Sequence, residues 1–159
     1  MNYSPKIYWF TGQPGSGKTT LGSLLHHFID NSPYTSPSFI IDGDDIREMF
    51  KDKDYSENGR RKNISKAQDI AIFLNNKGYS VIVSLVSPYK DQREEFKKNN
   101  NVVEIYVHTE DIRGRENYFV NNYEQPTHNF IDLNTTNINV SASFNELLEK
   151  LDLYKKNNL

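Results

Sequence analysis

The sequence predicts an α/β fold in which a five-stranded parallel sheet carries helices on both faces. Apolar runs of strand length alternate along the 159 residues with segments whose apolar positions recur at helical spacing. The runs lack the strict apolar–polar alternation of a half-exposed sheet, which indicates strands that are buried on both faces. A glycine-rich loop, from Gly12 to Thr19, connects the first run to the first helical segment. Together these three observations predict a three-layer sandwich.

The first half of the chain holds two predicted strands and three predicted helices. Residues 6–11 are apolar and aromatic and predict the first strand, which a helix follows over about 18–30. The short apolar run 39–41 predicts the second strand, and a short helix extends from there to about Phe50. After a polar connection, apolar residues at helical spacing predict a long amphipathic helix over 59–77.

The second half holds three predicted strands and two predicted helices. The run 81–86 is the most strand-like stretch of the chain. A helix is predicted over about 88–98, because its first residue is a proline and proline is favoured at that position. Residues 102–107 predict the fourth strand, and a fifth is predicted over about 130–133. Residues 144–153 have the periodicity of a closing helix.

Composition limits the classes of protein to which the chain can belong. Its length predicts one domain, residues 1–159, with no internal repeat. The absence of cysteine excludes a disulfide framework and cysteine-ligated zinc. No stretch approaches the ~20 apolar residues that span a bilayer, so we expect a soluble cytoplasmic protein without a membrane partner. A net charge of −2 gives no electrostatic footprint for nucleic acid.

The glycine-rich loop matches the phosphate-binding pattern G-x-x-x-x-G-K-T and lies between a strand and a helix, as that motif requires. Its glycines permit positive φ and let backbone N–H groups approach a polyphosphate, and the new helix adds its N-terminal amides. A glycine-rich turn without this role would need neither Lys18 nor Thr19. Lys18 is expected to bind the β- and γ-phosphates and Thr19 to bind Mg²⁺. The predicted ATP-binding residues here are Gly12, Gln13, Pro14, Gly15, Ser16, Gly17, Lys18, Thr19 and Thr20.

A phosphate loop fits a GTPase, a motor ATPase or a small-molecule kinase, and other residues favour the kinase. The guanine-reading N-K-x-D motif is absent, and the strand 81–86 is followed by Ser87 where a motor ATPase usually has an aspartate. Asp42 and Asp44 follow the second strand, where a second substrate can meet the γ-phosphate. Alternatively, these carboxylates only cap the next helix. By analogy with P-loop kinases, we expect the strand order 2-3-1-4-5.

Four blocks of sequence carry a resemblance to a known family. They read G-Q-P-G-S-G-K-T-T at 12–20, D-G-D-D-I-R at 42–47, Y-S-E-N-G-R-R-K-N-I at 55–64 and S-L-V-S-P-Y-K-D-Q-R at 84–93. In this order and spacing, the blocks resemble those of adenylylsulfate (APS) kinases. The resemblance covers about residues 7–107 and is more specific than the phosphate loop alone.

The resemblance implies transfer of the γ-phosphate of ATP to the ribose 3′-hydroxyl of adenylyl sulfate, with Mg²⁺ as cofactor. Asp44 would accept a hydrogen bond from the attacking hydroxyl, and Asp42 would orient Mg²⁺. Lys18 would neutralise charge in a loose transition state, so positioning and neutralisation are expected to contribute more than the base. The resemblance also implies a small nucleotide as partner and a homodimer.

On the acceptor side, the resemblance implies that two arginines bind a phosphate or sulfate, that an aromatic ring stacks on the base and that an asparagine binds the nucleotide. Alternatives remain, since Arg60 can belong to a solvated helix start, Tyr55 can be ordinary packing and Ser87 can be an N-cap. The predicted acceptor residues are Asp44, Arg47, Tyr55, Arg60, Asn63, Val86 and Ser87.

The chain departs from the family between its fourth and fifth strands. Residues 109–128, which we call the lid segment, are polar and aperiodic, and we expect them to form a mobile lid over the site. They are shorter than the family's lid, and Tyr118 or Phe119 would replace its phenylalanine. Arg113 and Arg115 are candidates for neutralising transferred charge or for the adenine side of ATP, and Arg115 is predicted to bind ATP.

Three functions fit the sequence. The first is an adenylylsulfate kinase with a reduced lid, and the second is a related 3′-kinase of another nucleotide, such as cytidine diphosphoramidate. The third is a nucleotide-binding regulatory domain without turnover. Retention of Lys18, Thr19, Asp42 and Asp44 argues against the third.

Overall fold

A computed structural model describes residues 4–153 and contains one parallel sheet with the strand order β2-β3-β1-β4-β5. The predicted fold class and strand order are therefore confirmed. The strands are β1 (Ile7–Thr11), β2 (Ser38–Asp42), β3 (Ser80–Ser84), β4 (Val102–His108) and β5 (Ile131–Asn134). The helices are α1 (Lys18–Asp30), α2 (Gly43–Phe50), α3 (Glu57–Asn76), α4 (Lys90–Asn99) and α5 (Val140–Lys150). A 3-10 turn, Glu116–Tyr118, lies in the lid segment.

Two apolar layers cover the sheet because successive strand residues point to opposite faces. In β1, Ile7 and Trp9 pack with Ile64 and Ala67 of α3 and with Phe96 of α4. The alternate residues of β1 form the other layer with side chains of α1, β5 and α5; its buried members include Tyr8, Phe10, Leu21, Leu25, Leu133 and Leu147. Both layers are mainly apolar, which explains why the strands read as nearly continuous apolar runs; buried Glu104 of β4 is a charged exception.

Two helix starts differ from the sequence prediction. α4 begins at Lys90, since Ser87 has a φ of 47° and Tyr89 is extended, so Pro88 is not its first residue. α5 begins at Val140, four residues earlier than expected, because the Asn139 side chain accepts a hydrogen bond from the Ala142 N–H. This N-cap lies outside the apolar periodicity from which the helix was predicted.

The sheet brings the predicted site residues to one edge. Asp42 is in register with Ser84 on β3, and Ser84 is in register with Phe10 on β1, so the loops that follow these strands are neighbours. The phosphate loop, the start of α2 and residues 85–88 therefore meet at the carboxyl ends of parallel strands, where open α/β sheets bind ligands. Within residues 4–153, no helix is long and apolar enough to cross a membrane.

Candidate active site

The phosphate loop has the backbone that its glycines predict. Gly12, Gly15 and Gly17 have φ values of 150°, 82° and 112°. A Cβ atom on Gly12 would lie 2.1 Å from the Val107 carbonyl oxygen, so the close approach of β4 also requires glycine there. Gly17 caps α1 without a side-chain hydrogen bond. The first amides of α1 therefore remain available to an anion.

Lys18 lies buried at the centre of the site. Its Nζ atom donates a hydrogen bond to the Gln13 carbonyl oxygen at 2.9 Å. Burial lowers the pKa of Lys18 to about 8, the nearby Asp42 carboxylate partly offsets this, and the Arg115 guanidinium lowers the pKa further. An anion that binds beside Nζ would favour the charged amine.

Asp42 both caps α2 and faces Thr19. Its Oδ1 atom accepts a hydrogen bond from the Asp44 N–H at 3.0 Å, and its Oδ2 atom accepts one from the Thr19 hydroxyl at 3.2 Å. Asp42 can therefore cap α2 and also take part in the site, the two roles that the sequence left as alternatives, because the cap uses only one carboxylate oxygen. Magnesium is usually held by one or two protein oxygens together with phosphate oxygens and water. The Thr19–Asp42 pair beside the phosphate loop fits this ion.

Asp44 lies in the first turn of α2 with an exposed side chain. Within the described part of the chain its carboxylate accepts no hydrogen bond, although its backbone N–H is used by the cap. It faces a cavity of about 730 Å³ that also reaches Lys18 and Thr19. The carboxylate is therefore free to accept a hydrogen bond from a ligand near the phosphate loop.

This larger cavity brings together all the predicted acceptor residues. They come from α2, from the loop before α3, from α3 itself and from the segment after β3, which are far apart in the sequence. The predicted residues that line it, together with Asp42, are Asp44, Arg47, Tyr55, Arg60, Asn63, Val86 and Ser87.

Two arginines hold the loop that carries Tyr55. The Arg47 guanidinium lies 4.1 Å from the centre of the Tyr55 ring and donates a hydrogen bond to the Asp54 carbonyl oxygen at 2.9 Å. The Arg60 Nε atom donates to the Tyr55 carbonyl oxygen at 2.9 Å. The Tyr55 side chain is exposed to 57% and faces the larger cavity. Each guanidinium has five N–H donors, so several remain for an anionic ligand.

Two buried polar side chains in this cavity lack protein partners. Asn63 and Ser87 are each 2% exposed, and neither Asn63 Oδ1 nor Ser87 Oγ has a hydrogen-bond partner among the described residues. An unpaired buried polar atom costs about 1–3 kcal/mol, which a ligand can recover. Ser87 is not the N-cap of α4, because that position belongs to Tyr89.

A smaller cavity of about 360 Å³ lies on the other side of Lys18. Arg113 borders it and donates hydrogen bonds to the carbonyl oxygens of Gly15, Ser16 and Thr135. Arg115 instead lines the larger cavity, so the structure separates the two arginines that the sequence left as alternatives. The smaller cavity is lined by Gly15, Ser16, Gly17, Lys18, Thr19, Thr20, Leu21, Arg113, Thr135, Ile138, Val140 and Ser143.

The sequence prediction missed residues 135–143 of this smaller cavity. They follow β5 at the same sheet edge as the phosphate loop, a position that could have marked them. Ser143 is buried, and its Oγ atom has no partner among the described residues. Of the predicted loop residues, Gly12 and Gln13 line neither cavity, whereas Pro14 lines the larger one.

A match between the sequence and a protein-family model shows to which proteins the chain is related. The model described as Adenylylsulphate kinase matches residues 4–118, which include the phosphate loop and every predicted acceptor residue. The chain belongs to the adenylylsulphate kinase family.

Curated members of this family are similar to the chain over two thirds of its length. Adenylyl-sulfate kinase of Vibrio cholerae serotype O1 is 30% identical over 109 residues, which are 66% of this chain and 50% of that protein. The enzyme of Buchnera aphidicola subsp. Acyrthosiphon pisum is 31% identical over 107 residues, 65% of this chain and 51% of that protein. The chain thus spans about half the length of these relatives. It spans 17% of the bifunctional enzyme NodQ of Rhizobium meliloti, at 31% identity over 68% of this chain.

Solved structures show the same fold over nearly the whole chain. The Mycobacterium tuberculosis APS kinase CysC in complex with AMPPNP and APS has a TM-score of 0.76 at 21% identity and covers 96% of this chain and 98% of that one. A gluconokinase from Sinorhizobium meliloti gives a TM-score of 0.66 at 15% identity, with 99% and 97% covered. The fold thus continues past Tyr118, where the family model stops.

The lid segment extends beyond the family match and lies across the site. Tyr118 and Phe119 are exposed and line the larger cavity, which Tyr55 also lines. Further along, the Tyr123 hydroxyl forms a hydrogen bond with the Thr11 hydroxyl at 2.7 Å. Burial raises the pKa of Tyr123 well above its usual range. The mobility of this segment stays a prediction.

Proposed function

We propose that this chain transfers the γ-phosphate of ATP to the ribose 3′-hydroxyl of adenylyl sulfate, which gives 3′-phosphoadenylyl sulfate and ADP. One observation carries the proposal: a single cavity joins Lys18 of the phosphate loop to Asp44, to Arg47 and to Arg60. Phosphate donor and nucleotide acceptor can therefore meet in one space. The names of the curated relatives, and the two ligands of the M. tuberculosis structure, support this choice.

The donor side of the proposal uses both cavities. The triphosphate of ATP would bind the amides of the phosphate loop and the Lys18 ammonium. The smaller cavity would hold the nucleoside, where the buried Ser143 hydroxyl has no protein partner among residues 4–153. Arg115 would approach the phosphates from the larger cavity, since it already affects the pKa of Lys18.

Magnesium would be held by the Thr19 hydroxyl and the Asp42 carboxylate, with the remaining positions left to phosphate oxygens and water. When bound, the ion neutralises charge on the β- and γ-phosphates. The chain's own contribution is to fix both ligand atoms, because α1 positions Thr19 and the cap of α2 positions Asp42.

On the acceptor side, Asp44 accepts the hydrogen bond of the attacking 3′-hydroxyl and takes its proton. The new bond forms between the 3′-oxygen and the γ-phosphorus, the bond from this phosphorus to the bridging oxygen breaks, and ADP leaves. Arg47 and Arg60 bind the phosphosulfate anion, and Asn63 Oδ1 accepts a hydrogen bond from the nucleoside. The rings of Tyr55 and of Tyr118 or Phe119 stack on the base.

We also propose that the described residues form one kinase domain in which the lid segment closes over the larger cavity. A homodimer is expected from the family. It is tested by sedimentation of the purified chain, which would show a monomer if this expectation is wrong.

The proposed reaction is tested by a coupled assay of ADP release with magnesium and ATP. Adenylyl sulfate, cytidine diphosphoramidate and simple nucleosides are compared as acceptors. The proposal predicts turnover with adenylyl sulfate at the highest kcat/KM. If cytidine diphosphoramidate is the only acceptor turned over, the proposed acceptor is wrong and the chain is a 3′-kinase of that nucleotide. If ATP binds tightly but no acceptor is turned over, the chain is a regulatory domain.

A further inference from the structure

The Gln13 side chain binds the lid segment rather than a ligand cavity. Its Nε2 atom donates a hydrogen bond to the Val120 carbonyl oxygen at 2.8 Å, and its Oε1 atom accepts one from the Val120 N–H at 2.9 Å. Both ends of the amide are thus used, as in the pairing of two backbone strands. The two residues are 107 positions apart in the sequence.

Val120 directly follows the two aromatic residues that face the larger cavity. Tyr118 and Phe119 are exposed to 66% and 42%, and both line that cavity. Their own turn is short and is closed by local hydrogen bonds from Tyr118 N–H to Arg115 and from Phe119 N–H to Glu116. Such a turn has little stiffness of its own, so its position depends on what holds its ends.

Gln13 supplies the hydrogen bonds that hold this turn to the body of the protein. Among residues 4–153, the one other hydrogen bond that leaves residues 114–122 is local, from the Arg113 N–H to the Glu116 carboxylate at 2.7 Å, so only the Gln13 pair joins this stretch to a distant part of the chain. The next such contacts lie outside this stretch, at Arg113 on one side and at Tyr123 on the other. One side chain of the phosphate loop therefore anchors the aromatic turn at Val120, the residue that directly follows the two rings.

We propose that Gln13 is a positioning residue for the acceptor, which places the aromatic turn over the larger cavity without touching ATP. The inference rests on the proposed function, because the acceptor is the ligand assigned to that cavity. It changes the role predicted from the sequence, where Gln13 was grouped with the ATP-binding residues. Its position supports the change, since Gln13 lines neither cavity.

Three variants test the proposal. Gln13→Leu removes both hydrogen bonds, whereas Val120→Pro removes only the N–H donor of the pair. The backbone of Phe119, with φ of −60° and ψ of 139°, already has the conformation required before proline. Gln125→Leu is the matched control, because Gln125 is exposed in the same segment and lies outside the Gln13 contact.

In steady-state assays, Gln13→Leu and Val120→Pro should each raise the KM of the acceptor about tenfold, as expected for the loss of one or two hydrogen bonds. The KM of ATP should stay within about twofold, and the double variant should be no worse than Gln13→Leu alone because both changes break one contact. A rise in the KM of ATP with an unchanged KM of the acceptor would overturn the proposal, as would additive effects.

Hydrogen–deuterium exchange gives a readout that needs no acceptor. Backbone amides in residues 116–122 should exchange faster in Gln13→Leu than in the wild-type chain, while Gln125→Leu should match the wild type. Unchanged exchange in Gln13→Leu would refute the anchor, whatever the acceptor is. If exchange changes as expected but adenylyl sulfate is not a substrate, the proposed function fails and the anchoring role of Gln13 stands.

Discussion

At the scale of single residues, Asp42 shows how one carboxylate serves the fold and the site together. One oxygen caps α2, and the other faces the Thr19 hydroxyl. In the proposed function, the cap would hold the side chain where it can bind a magnesium ion together with Thr19. A helix cap at the carboxyl end of a strand can therefore be part of a catalytic arrangement.

Asp44 and its neighbour Asp45 allow a controlled test of the acceptor chemistry. Asp44→Asn should lower kcat about 100-fold, because an amide cannot take the proton of the attacking hydroxyl. ATP affinity should change little. Asp45→Asn is the control, since Asp45 is exposed in the same helical turn but does not line the larger cavity. Initial rates and ATP titrations measure both variants, and equal losses of kcat would contradict the role of Asp44.

If Lys18 binds the phosphates as proposed, ATP binding should depend on pH. In the protein without ligand, burial lowers the pKa of Lys18 to about 8, and bound phosphates would raise it again. Above pH 8 the complex then holds more protons than the free protein, so affinity falls as pH rises, by at most about tenfold per pH unit. Calorimetry at pH 9 in two buffers with different ionisation enthalpies should show proton uptake on binding.

The comparison for this prediction is Lys18→Arg, whose guanidinium stays charged throughout the range. To the extent that this variant binds ATP, its affinity should lack the decline above pH 8 and binding should take up no proton. A wild-type affinity that is flat from pH 7 to pH 10 would contradict the lowered pKa of Lys18.

At the scale of elements, α4 and β4 are joined by a buried ion pair that also holds two loops of the site. Arg93 and Glu104 are each 2% exposed and form a salt bridge of 2.7 Å. Arg93 further donates to the carbonyl oxygens of Ser87 and Glu124. Lys97 forms a second salt bridge with Glu104. The helix thereby fixes the segment after β3 and the end of the lid segment.

Removing the charge of Glu104 should destabilise the protein strongly. Glu104→Gln leaves Arg93 buried without its counter-charge, and breaking a buried pair in this way costs about 3–5 kcal/mol. Glu95→Gln is the control, because Glu95 and Lys98 are about 70% exposed and such pairs contribute at most about 1 kcal/mol. Urea unfolding of both variants gives the two free energies. Similar free energies of unfolding for Glu104→Gln and Glu95→Gln would show that the buried Arg93–Glu104 pair contributes little to stability.

At the scale of the whole molecule, the two cavities meet at Lys18, Thr19 and Gly15, so a ligand there links both halves of the sheet. ATP with magnesium at 100 times its Kd should stabilise the folded state by about 2.7 kcal/mol and raise Tm by roughly 5–10 °C. Differential scanning calorimetry measures the shift, and chelation of magnesium should reduce it.

This stabilisation should be lost in Lys18→Ala, which removes the buried ammonium but leaves the backbone of the phosphate loop. Asp44→Asn should keep it, because in the proposed function Asp44 contacts the acceptor and not ATP. If Lys18→Ala shows the same Tm shift as the wild type, the triphosphate binds elsewhere.

Much of the fold and half of the site follow from local sequence. The apolar runs predict the five strands, and the phosphate loop is specified by its own glycines, lysine and threonine. The acceptor residues were predicted through blocks that resemble a family, and the structure brings all of these predicted residues to one cavity. Local patterns were less reliable at the start of α4. Pro88 was predicted to be its first residue, but Ser87 before it has a left-handed backbone and the helix begins at Lys90.

What the sequence alone determined is which residue types stand at the candidate site: a glycine-rich loop with a lysine and a threonine, two carboxylates after β2 and two arginines in the blocks that follow. Only the tertiary structure decided that Arg113 and Arg115 face different cavities, that residues 135–143 complete the smaller one and that Gln13 holds the lid segment. The physical reason is distance along the chain. Periodicity and motifs record contacts within a few residues, whereas Gln13 and Val120, or Arg113 and Gly15, meet only after the sheet has brought their loops to one edge.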